Sequence, residues 1–262
     1  MFLIFDTETT GLPRNFNAPL SDSDNWPRMV QIAWQLHDAA GNLLSAKSII
    51  VKPEGYTIPF NAEQIHGIST QRALAEGADL KEVLLEFAEV VKQTQYLCGH
   101  NIGFDNNIIG AEFLRTQMPN FFEGKGVIDT KNDETTAFCA IPGGKGGKFK
   151  WPTLTELYTK LFNKGFEEAH NAAFDVAATA KCFFEIIRRR VIQVKEFSIE
   201  QATTIQYQAP DLSELLASEK KLKEAKTQGT TITPAVADLS TPVSILNTKY
   251  SHLHNHSQFS VL

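Results

Sequence analysis

The amino-acid sequence predicts an α/β domain in which helices flank a five-stranded β-sheet. Three segments within the first 51 residues are continuously apolar or alternate between apolar and polar side chains, which is typical of strands. Two shorter apolar segments follow, separated by stretches whose apolar residues recur at helical spacing. We therefore expect a mixed sheet that is built within residues 1–195.

The opening of the chain predicts three antiparallel strands. Residues 2–5 are all apolar and stop at an acidic cluster, which indicates a central strand buried on both faces. After the polar loop 13–28, residues 30–36 alternate between apolar and polar side chains, as expected of a strand with one buried face. A turn at Gly41 then leads into a third strand over residues 43–51.

The remainder of this region predicts helices, two short strands and one loop. Apolar side chains recur every three or four residues in four segments, where we predict helices over residues 80–91, 105–116, 154–162 and 172–191. Short apolar strands are predicted at 96–98 and 127–128. Residues 142–150 are rich in glycine and lysine and predict a flexible basic loop.

The composition of the chain changes after about residue 195. Asp211 and Glu214 have the spacing of a helix N-cap and its third residue, which predicts a charged helix. Residues 227–243 are rich in threonine and contain two prolines, which is typical of a linker. We predict a compact domain over residues 1–195 and a helical or flexible linker over residues 196–250.

Charge and composition exclude several classes of protein. The 262-residue chain has a formal net charge of −5, so binding to nucleic acid through a global positive charge is excluded. A nuclease is compatible with this charge, because carboxylates that bind metal ions can supply it. Three widely spaced cysteines indicate neither a disulfide framework nor a zinc ribbon and fit a reducing cytoplasm. We expect no signal peptide and no membrane span, since no apolar stretch approaches 18 residues.

Three acidic motifs end or border the predicted elements. Asp6 and Glu8 follow the first strand, and carboxylates two residues apart on a strand point to one face. Asp105 lies at the start of a predicted helix, after the fourth strand. His170 precedes the last strong helix, which carries Asp175 in its first turns.

Each motif alone has a simple structural explanation. An acid near a helix start, such as Asp105 or Asp175, is most often a cap or a partner of the helix dipole. Asp6 and Glu8 would be solvated after a strand, and a lone His170 would be a structural histidine. The occurrence of all three motifs in one order, within one domain, favours a functional site.

With these motifs, residues 1–192 resemble the DEDDh branch of the DEDD superfamily of 3′–5′ exonucleases, which includes the epsilon-like proofreading subunits of bacterial replicative polymerases. The resemblance implies an RNase H-like fold and makes catalytic residues of Asp6, Glu8, Asp105, His170 and Asp175. The tyrosine branch requires a tyrosine four residues before the last aspartate, where this chain has Asn171. The histidine five residues before it matches the His branch.

The resemblance implies two Mg²⁺ or Mn²⁺ ions bound by Asp6, Glu8, Asp105 and Asp175. The residue types agree with it, because four converging carboxylates repel one another and oxygen ligands suit hard cations. In such a family, a neutral histidine removes a proton from the attacking water, and a nucleoside 5′-monophosphate is released.

Substrate contacts are also expected from the resemblance. Small residues and backbone after the first motif meet the terminal nucleotide in this family, and here those positions are Thr9, Thr10, Gly11 and Leu12. Asn101 and Phe104 are candidates to line the same cleft, although core packing explains Phe104 equally well. His66 lies in a segment similar to a loop of the family between the third strand and the next helix, and it is either structural or at the nucleotide site.

The basic loop and the residue after it form a second candidate surface. Lys145, Lys148, Lys150 and Trp151 have the composition of a segment that holds a single-stranded backbone and stacks a base. A solvated loop with one anchoring tryptophan explains the same composition.

The last residues carry a further motif. Residues 251–262 contain His252, His254 and His256 and resemble the first strand of the PHP domain of the DNA polymerase III alpha subunit. An uninterrupted histidine run, as in a purification tag, is absent. The resemblance implies an exonuclease fused in cis to a replicative polymerase, with a truncated start of the PHP-like domain at residues 251–262.

The resulting expectation is a cytoplasmic, metal-dependent 3′–5′ exonuclease that hydrolyses phosphodiester bonds at single-stranded or frayed 3′ ends of DNA during proofreading. Two alternatives stay open at this point. The same chemistry acts on RNA in oligoribonuclease-like and RNase T-like relatives, and no residue that reads a 2′-hydroxyl is identifiable. A non-catalytic nucleic-acid-binding or polymerase-docking module with the same fold is the other alternative.

Overall fold

The computed structural model describes residues 1–166, 171–195, 197–213 and 215–216. Five strands form one mixed sheet: β1 (Phe2–Thr9), β2 (Met29–His37), β3 (Leu43–Ile50), β4 (Tyr96–Gly99) and β5 (Gly126–Asp129). The strand order is β3-β2-β1-β4-β5. The first three strands pair antiparallel, and β1, β4 and β5 run parallel. The predicted five-stranded mixed sheet is confirmed.

The described helices follow the predicted periodicity and add four short helices. They are α1 (Phe60–His66), α2 (Thr70–Glu76), α3 (Leu80–Gln93), α4 (Ile102–Arg115), α5 (Asp133–Cys139), α6 (Leu154–Phe162), α7 (Ala172–Arg188) and α8 (Ile199–Thr204). The short helices α1, α2, α5 and α8 are absent from the prediction, because six or seven residues span too few turns for an apolar stripe to emerge. Residues 64–66, predicted as a loop, end α1 instead.

Two apolar layers enclose the sheet. Phe2, Ile4 and Ala33 pack on one face against α6, α7 and α8. Leu3, Phe5 and Trp34 pack on the opposite face against α3 and α4. Because β1 lies at the centre and is buried on both faces, its successive side chains point alternately to α7 and to α4. This alternation decides which helix each polar residue at the end of β1 meets.

The prediction that β2 has one buried face is wrong, because every residue of this strand is buried. The polar residues Gln31 and Gln35 face the α7 layer and make buried hydrogen bonds there. Gln31 Nε2 donates to Ser48 Oγ at 3.1 Å, and Tyr207 donates its hydroxyl to Gln35 Oε1 at 3.0 Å. Alternating polarity in β2 therefore reflects a buried polar network rather than exposure to solvent.

Two predicted boundaries shift in a way that matters for the site. Strand β1 continues past residue 5 to Thr9, so Asp6 and Glu8 lie within the strand. Helix α4 begins at Ile102 rather than 105, so Asp105 occupies its first turn. Asn101 makes this earlier start possible by adopting a left-handed conformation, with φ of 68°, immediately before the helix.

The segment predicted as a flexible basic loop is a formed hairpin. The backbone N–H of Gly144 donates to the Lys148 carbonyl at 2.9 Å, and that of Lys150 donates to the Ile141 carbonyl at 2.9 Å. A β-bridge joins Pro142 and Phe149. We refer to residues 141–151 as the basic hairpin.

The hydrophobic core continues past the boundary predicted at residue 195. Leu215 is buried and, with Tyr207, belongs to the layer that contains α7. The backbone N–H groups of Gln206 and Gln208 donate to the carbonyls of Ala40 and Gly41. The Asp211 carboxylate accepts the N–H of Ser213 at 2.8 Å, as a helix cap does.

Several predictions fall outside the described residues. They concern Glu214 and the later part of the charged helix, the linker at 227–243, and the histidine-containing residues 251–262. Among the helices described, none has the length and apolar character needed to cross a membrane.

Candidate active site

The acidic motifs meet where β1 ends. The parallel strands β1, β4 and β5 finish at one edge of the sheet, and α4 and α7 both begin there. A β-bulge between Glu8 and Thr9 interrupts the pairing with β2 at this point. Bulges re-aim side chains beside functional sites, and this one lies directly after the second carboxylate of β1.

Three carboxylates converge at this edge. Asp6 and Glu8 project from the α7-facing side of β1, and Asp175 projects from the first turn of α7. One oxygen from each of the three lies within 4.8 Å of the others. The structure therefore brings together the first and third acidic motifs, as the sequence predicts.

Asp105 reaches the same place from the opposite face of the sheet. Its Oδ1 accepts hydrogen bonds from the backbone N–H of Thr7 at 3.0 Å and from the Thr7 hydroxyl at 2.7 Å. Thr7 points to the α4 side because it lies between Asp6 and Glu8 on the strand. Among the described residues, the cluster of acids close enough to share one cation contains Asp6, Glu8 and Asp175 without Asp105.

The four carboxylates perturb one another. Burial, with the charges of Asp175 and Asp105, raises the pKa of Glu8 to about 8. Burial, with the charges of Asp105, Asp175 and Glu8, raises the pKa of Asp6 well above its usual range. Burial also raises the pKa of Asp105 to about 7, although the hydrogen bonds from Thr7 lower it. The site concentrates negative charge that only a proton or a cation can neutralise.

This donor set fits divalent cations. The converging groups are carboxylate oxygens without sulfur or imidazole among the described residues of the cluster, which suits hard ions such as Mg²⁺ or Mn²⁺. Raised carboxylate pKa values indicate an unmet need for positive charge at the site.

A fifth acid supports the entry to α4. The Asp129 carboxylate, at the end of β5, accepts the backbone N–H of Asn101 at 2.7 Å and that of Lys131 at 2.8 Å. Lys131 Nζ lies 3.4 Å from Asn101 Oδ1. Burial raises the pKa of Asp129, while these hydrogen bonds lower it. Asn101, predicted to contact substrate, is thus held in its left-handed conformation by the neighbouring strand.

A buried glutamine anchors the start of α7. Gln31 lies directly opposite Glu8 in the β1–β2 pairing. Its Oε1 accepts the backbone N–H of Ala172 at 3.3 Å, while its Nε2 donates to Ser48. Asn171 caps the same helix by accepting the N–H of Ala173 at 3.0 Å. Because Asp175 lies one turn later, these contacts set its position relative to Glu8.

The residues after the first motif form a tight turn at the site. The Thr9 hydroxyl donates to the Gly11 carbonyl at 2.6 Å, and the Thr10 hydroxyl accepts the N–H of Arg28 at 2.9 Å. Gly11 has a φ of 147°, which an L-residue rarely adopts. Leu12 is half exposed beyond the turn. The predicted substrate contacts are therefore backbone and one apolar side chain.

Two further predicted residues lie at the margin of the site. His66 is buried, and its Nδ1 accepts the N–H of Ile68 at 3.1 Å. Burial lowers the pKa of His66, although a contact with the backbone of Thr9 opposes this effect. Phe104 is partly buried and packs against the core layer of α3 and α4. His66 thus lies beside the turn after β1, whereas the recorded packing of Phe104 is with the core, and its role in the cleft stays a prediction. His170 lies outside the described residues.

Sequence analysis missed Thr7, Gln31 and Asp129. Thr7 carries a detectable signal, because strand alternation directs it away from Asp6 and Glu8 and toward the helix of the second motif. Gln31 and Asp129 carry none that local patterns reveal, since their roles depend on Ala172 and Asn101, which are distant in the chain.

Comparisons with known proteins agree with this geometry. The chain is 26% identical over 254 residues to a PolC-type DNA polymerase III of Streptococcus sanguinis and 27% identical over 256 residues to that of Streptococcus pneumoniae. Each match covers 95% of this chain and 15% of the polymerase, so the chain spans about one seventh of those relatives. It is also 26% identical over 199 residues to ribonuclease T of Blochmanniella pennsylvanica, covering 71% of this chain and 84% of that enzyme.

Solved structures share the fold. E. coli exonuclease I in complex with a dT13 oligonucleotide superposes with a TM-score of 0.58 at 22% identity, over 72% of this chain and 41% of that one. Its zinc-bound complex with single-stranded DNA gives 0.56 at 20% identity, over 72% and 40%. These similarities establish the RNase H-like fold.

The family comparison covers most of the described domain. The exonuclease (RNase T) family model matches residues 3–183, which include the converging carboxylates of β1 and α7 together with the α4 carboxylate. Members of this family are metal-dependent nucleases, in agreement with the acidic cluster. The match spans more than half of the chain, which therefore belongs to the RNase T family of DEDD-type 3′–5′ exonucleases.

Proposed function

We propose that this chain removes nucleotides from single-stranded or frayed 3′ ends of DNA and releases nucleoside 5′-monophosphates. The observation that carries the proposal is the convergence of Asp6, Glu8 and Asp175 at the strand edge where Asp105 also arrives. The site holds the acidic groups that phosphodiester hydrolysis requires, and a turn with exposed backbone adjoins them.

Two Mg²⁺ or Mn²⁺ ions per site fit the four carboxylates. Asp6, Glu8 and Asp175 would bind them directly, with Asp105 completing the ligand set from the α4 side. When bound, such ions neutralise charge on the scissile phosphate and on the oxygens that attack and leave. Thr7 favours the ionised form of Asp105 by donating two hydrogen bonds to it, which oppose the effect of burial on its pKa.

His170 is proposed as the general base that takes a proton from the attacking water. The proposal rests on its position five residues before Asp175 and on the ordinary pKa of histidine, which lies close to neutral pH.

The turn after β1 and its neighbours are proposed to hold the terminal nucleotide. Backbone groups at Thr9, Thr10 and Gly11 line this turn, and the exposed Leu12 offers an apolar contact to a base. Asn101, Phe104 and His66 border it, and the half-buried position of Phe104 leaves part of the ring available.

Hydrolysis of RNA by the same site is the second candidate function. The observation in its favour is the similarity to ribonuclease T, which covers 84% of that enzyme. The PolC-type matches favour DNA by the same reasoning, since their names describe DNA polymerases.

Association with a replicative DNA polymerase, in cis by fusion, is proposed as the cellular context. The PolC-type relatives align with 95% of this chain, which supports this partnership. The division into an exonuclease domain at 1–195, a linker at 196–250 and a PHP-like start at 251–262 stays a prediction. A cytoplasmic location is supported by three buried cysteines that form no disulfide.

The decisive experiment uses a 5′-labelled single-stranded 20-mer of DNA and an RNA of the same sequence. We expect mononucleotide-by-mononucleotide shortening from the 3′ end with Mg²⁺ or Mn²⁺, and none with EDTA. A 3′-labelled DNA should release labelled mononucleotide at once. Faster hydrolysis of RNA than of DNA would support the second candidate.

Two variants assign the activity to the site. Asp175→Asn should lose nearly all activity, and His170→Ala should lower kcat with little effect on KM. Asp22→Asn, which removes the same charge from an exposed loop, is the matched control and should retain full activity. Chelator-resistant hydrolysis, or full activity in Asp175→Asn, would contradict the assignment.

A further inference from the structure

The basic hairpin presents two aromatic side chains to solvent. Phe149 is 47% exposed and Trp151 is 36% exposed, although large apolar residues of this chain are mostly buried. The arm that carries them is extended and paired with Ile141 and Pro142, so residues two apart lie on one side of it. The two rings therefore form one exposed apolar strip.

The same hairpin concentrates positive charge in an acidic protein. Lys145 and Lys148 are exposed, and in the part of the chain that the structure describes neither joins an ion pair. Lys150 instead lies 2.5 Å from Glu156 of α6, which ties the base of the hairpin to that helix. Two lysines that join no described ion pair, together with exposed aromatic rings, are suited to bind the phosphates and stack the bases of a nucleic acid.

A partly buried histidine connects the residue after the hairpin to the catalytic edge of the sheet. His100 follows the end of β4, and its Nε2 donates to the Pro152 carbonyl at 3.1 Å. Burial lowers the pKa of His100 to about 4, so the ring is neutral and the contact persists at neutral pH. Since β4 is the neighbour of β1, this contact ties the residue after Trp151 to the end of the strand next to the one that carries Asp6 and Glu8.

We propose that the basic hairpin binds the single strand upstream of the 3′ end, with a base stacked on Trp151 and phosphates beside Lys145 and Lys148. The inference rests on the proposed function and extends it with a second contact site on the substrate. The terminal nucleotide occupies the carboxylate site, and nucleotides further from the end cross the β5 side of this edge to the hairpin.

The charge of the hairpin favours nucleic acid over a protein partner. An interface with protein would bury the two aromatic rings in an apolar patch that excludes lysine from its centre. Here two exposed lysines, Lys145 and Lys148, lie in the same short hairpin as the rings, and exposed cations close to exposed rings are typical of surfaces that track a phosphate backbone and stack bases.

Substrate length provides the first test. The p-nitrophenyl ester of thymidine 5′-monophosphate fills only the terminal position, whereas a single-stranded 20-mer also reaches the hairpin. We expect Trp151→Ala to lower the ratio of kcat/KM for the 20-mer to that for the ester about tenfold, as loss of one stacked base implies. Lys145→Ala with Lys148→Ala should lower the same ratio.

Salt dependence provides the second test, and it requires no hydrolysis. In EDTA, the Kd for the 20-mer should depend on salt less steeply in the double lysine variant. The slope of log Kd against log salt should fall by about 1.4, because two phosphate contacts are lost. The control is Lys92→Ala with Lys195→Ala, which removes two exposed lysines outside the hairpin and should leave the slope and the ratio as in the wild type.

Intrinsic fluorescence provides the third test. Trp26 and Trp34 are both 2% exposed, so Trp151 is the solvent-accessible tryptophan of the three. Adding oligothymidylate in EDTA should quench tryptophan emission to a saturable level, and Trp151→Phe should abolish the quenching.

The outcomes separate the two proposals. A wild-type protein that hydrolyses neither substrate overturns the proposed function, while the salt and fluorescence measurements still test the hairpin. A length ratio within twofold of wild type in both hairpin variants, together with emission that oligonucleotide does not change, overturns the inference and leaves the proposed function intact. Equal losses on ester and 20-mer would also overturn it, because they indicate a general structural effect.

Discussion

The hydroxyl of Thr7 donates a 2.7 Å hydrogen bond to Oδ1 of Asp105, across 98 positions of sequence. The backbone N–H of the same threonine donates to the same oxygen at 3.0 Å. These bonds connect α4 to the central strand β1. On either side of Thr7, Asp6 and Glu8 point to the opposite face of the sheet. The bonds from Thr7 also stabilise the ionised form of a carboxyl whose pKa burial has raised to about 7.

Replacing Thr7 with valine should therefore impair the site without unfolding the domain. Valine retains the backbone donor but lacks the hydroxyl, so the pKa of Asp105 rises further. We expect kcat/KM to fall at least about tenfold, the loss typical of one hydrogen bond to a charged group, and the acid limb of its pH profile to move to higher pH.

Two variants control for structure at this position. Thr7→Ser keeps the hydroxyl and should restore most of the activity. Thr94→Val removes a buried hydroxyl at the opposite end of the sheet, where it donates to the Met1 and Tyr96 carbonyls, and should destabilise without moving the pH profile. Equal pH profiles for Thr7→Val and the wild type would argue against a role in holding the Asp105 charge.

Removing one carboxylate should stabilise the metal-free protein while it inactivates the enzyme. Asp6 is crowded by Asp105, Asp175 and Glu8, and its pKa is raised well above the usual range. We expect Asp6→Asn to raise the Tm in EDTA at pH 8 by a few degrees, since about 1 kcal/mol corresponds to 2–4 °C in a domain of this size. Activity should fall at least about 100-fold. A lower Tm would show that the cluster is not strained by repulsion.

Stability of the metal-free protein should decrease as pH rises. In the folded protein Glu8 keeps its proton to a pH of about 8, whereas its ordinary value is 4.5. Between these values the folded state binds more protons than the unfolded state, so raising the pH favours unfolding. Thermal melts in EDTA from pH 5 to pH 8 should show a falling Tm, and Glu8→Gln should flatten the decline.

Divalent cations should reverse this dependence. Ions that bind the ionised carboxylates stabilise the folded state by mass action, and they compete with protons for the same oxygens. Saturating Mg²⁺ or Mn²⁺ should therefore raise the Tm more at pH 8 than at pH 5. If the cation raised the Tm equally at both pH values, or as much in Glu8→Gln as in the wild type, the cation would bind outside the carboxylate cluster.

Gln31 should act as a positioning residue for α7. Gln31→Leu leaves the Ala172 N–H and the Ser48 hydroxyl without their partner, which costs about 1–3 kcal/mol. The start of α7 then loses its link to β2, and we expect kcat to fall at least tenfold at a temperature where the variant is folded, because small displacements of catalytic groups are costly.

Gln35→Leu is the matched control for this prediction. Gln35 is equally buried on the same face of β2, where its partners are His37 and Tyr207 rather than α7. Its replacement should lower the Tm by a similar amount and leave kcat unaltered. Similar kcat values for the two variants would show that Gln31 contributes to stability alone.

Strands β1 and β2 and helix α3 show how much of the fold local sequence patterns can predict. The apolar run at residues 2–5 and the helical spacing from Leu80 to Val91 predict a central strand and a long helix correctly, because strand and helix periods appear within a few residues of sequence. The alternation in β2 is equally regular, yet its interpretation as one exposed face is wrong. Its polar side chains are buried because α7 covers them.

The amino-acid sequence by itself therefore determined the sheet, the main helices and the three acidic motifs. Each of these features depends on residues that are close together along the chain. Packing decided which carboxylates lie close enough to share a cation, which one accepts hydrogen bonds from Thr7, and which buried glutamine contacts the start of α7. These contacts join groups 98 and 141 positions apart, and their existence depends on which helix covers each face of β1 and β2. Local sequence periodicity does not indicate which helix covers which face, because that arrangement depends on the burial of apolar surface throughout the domain.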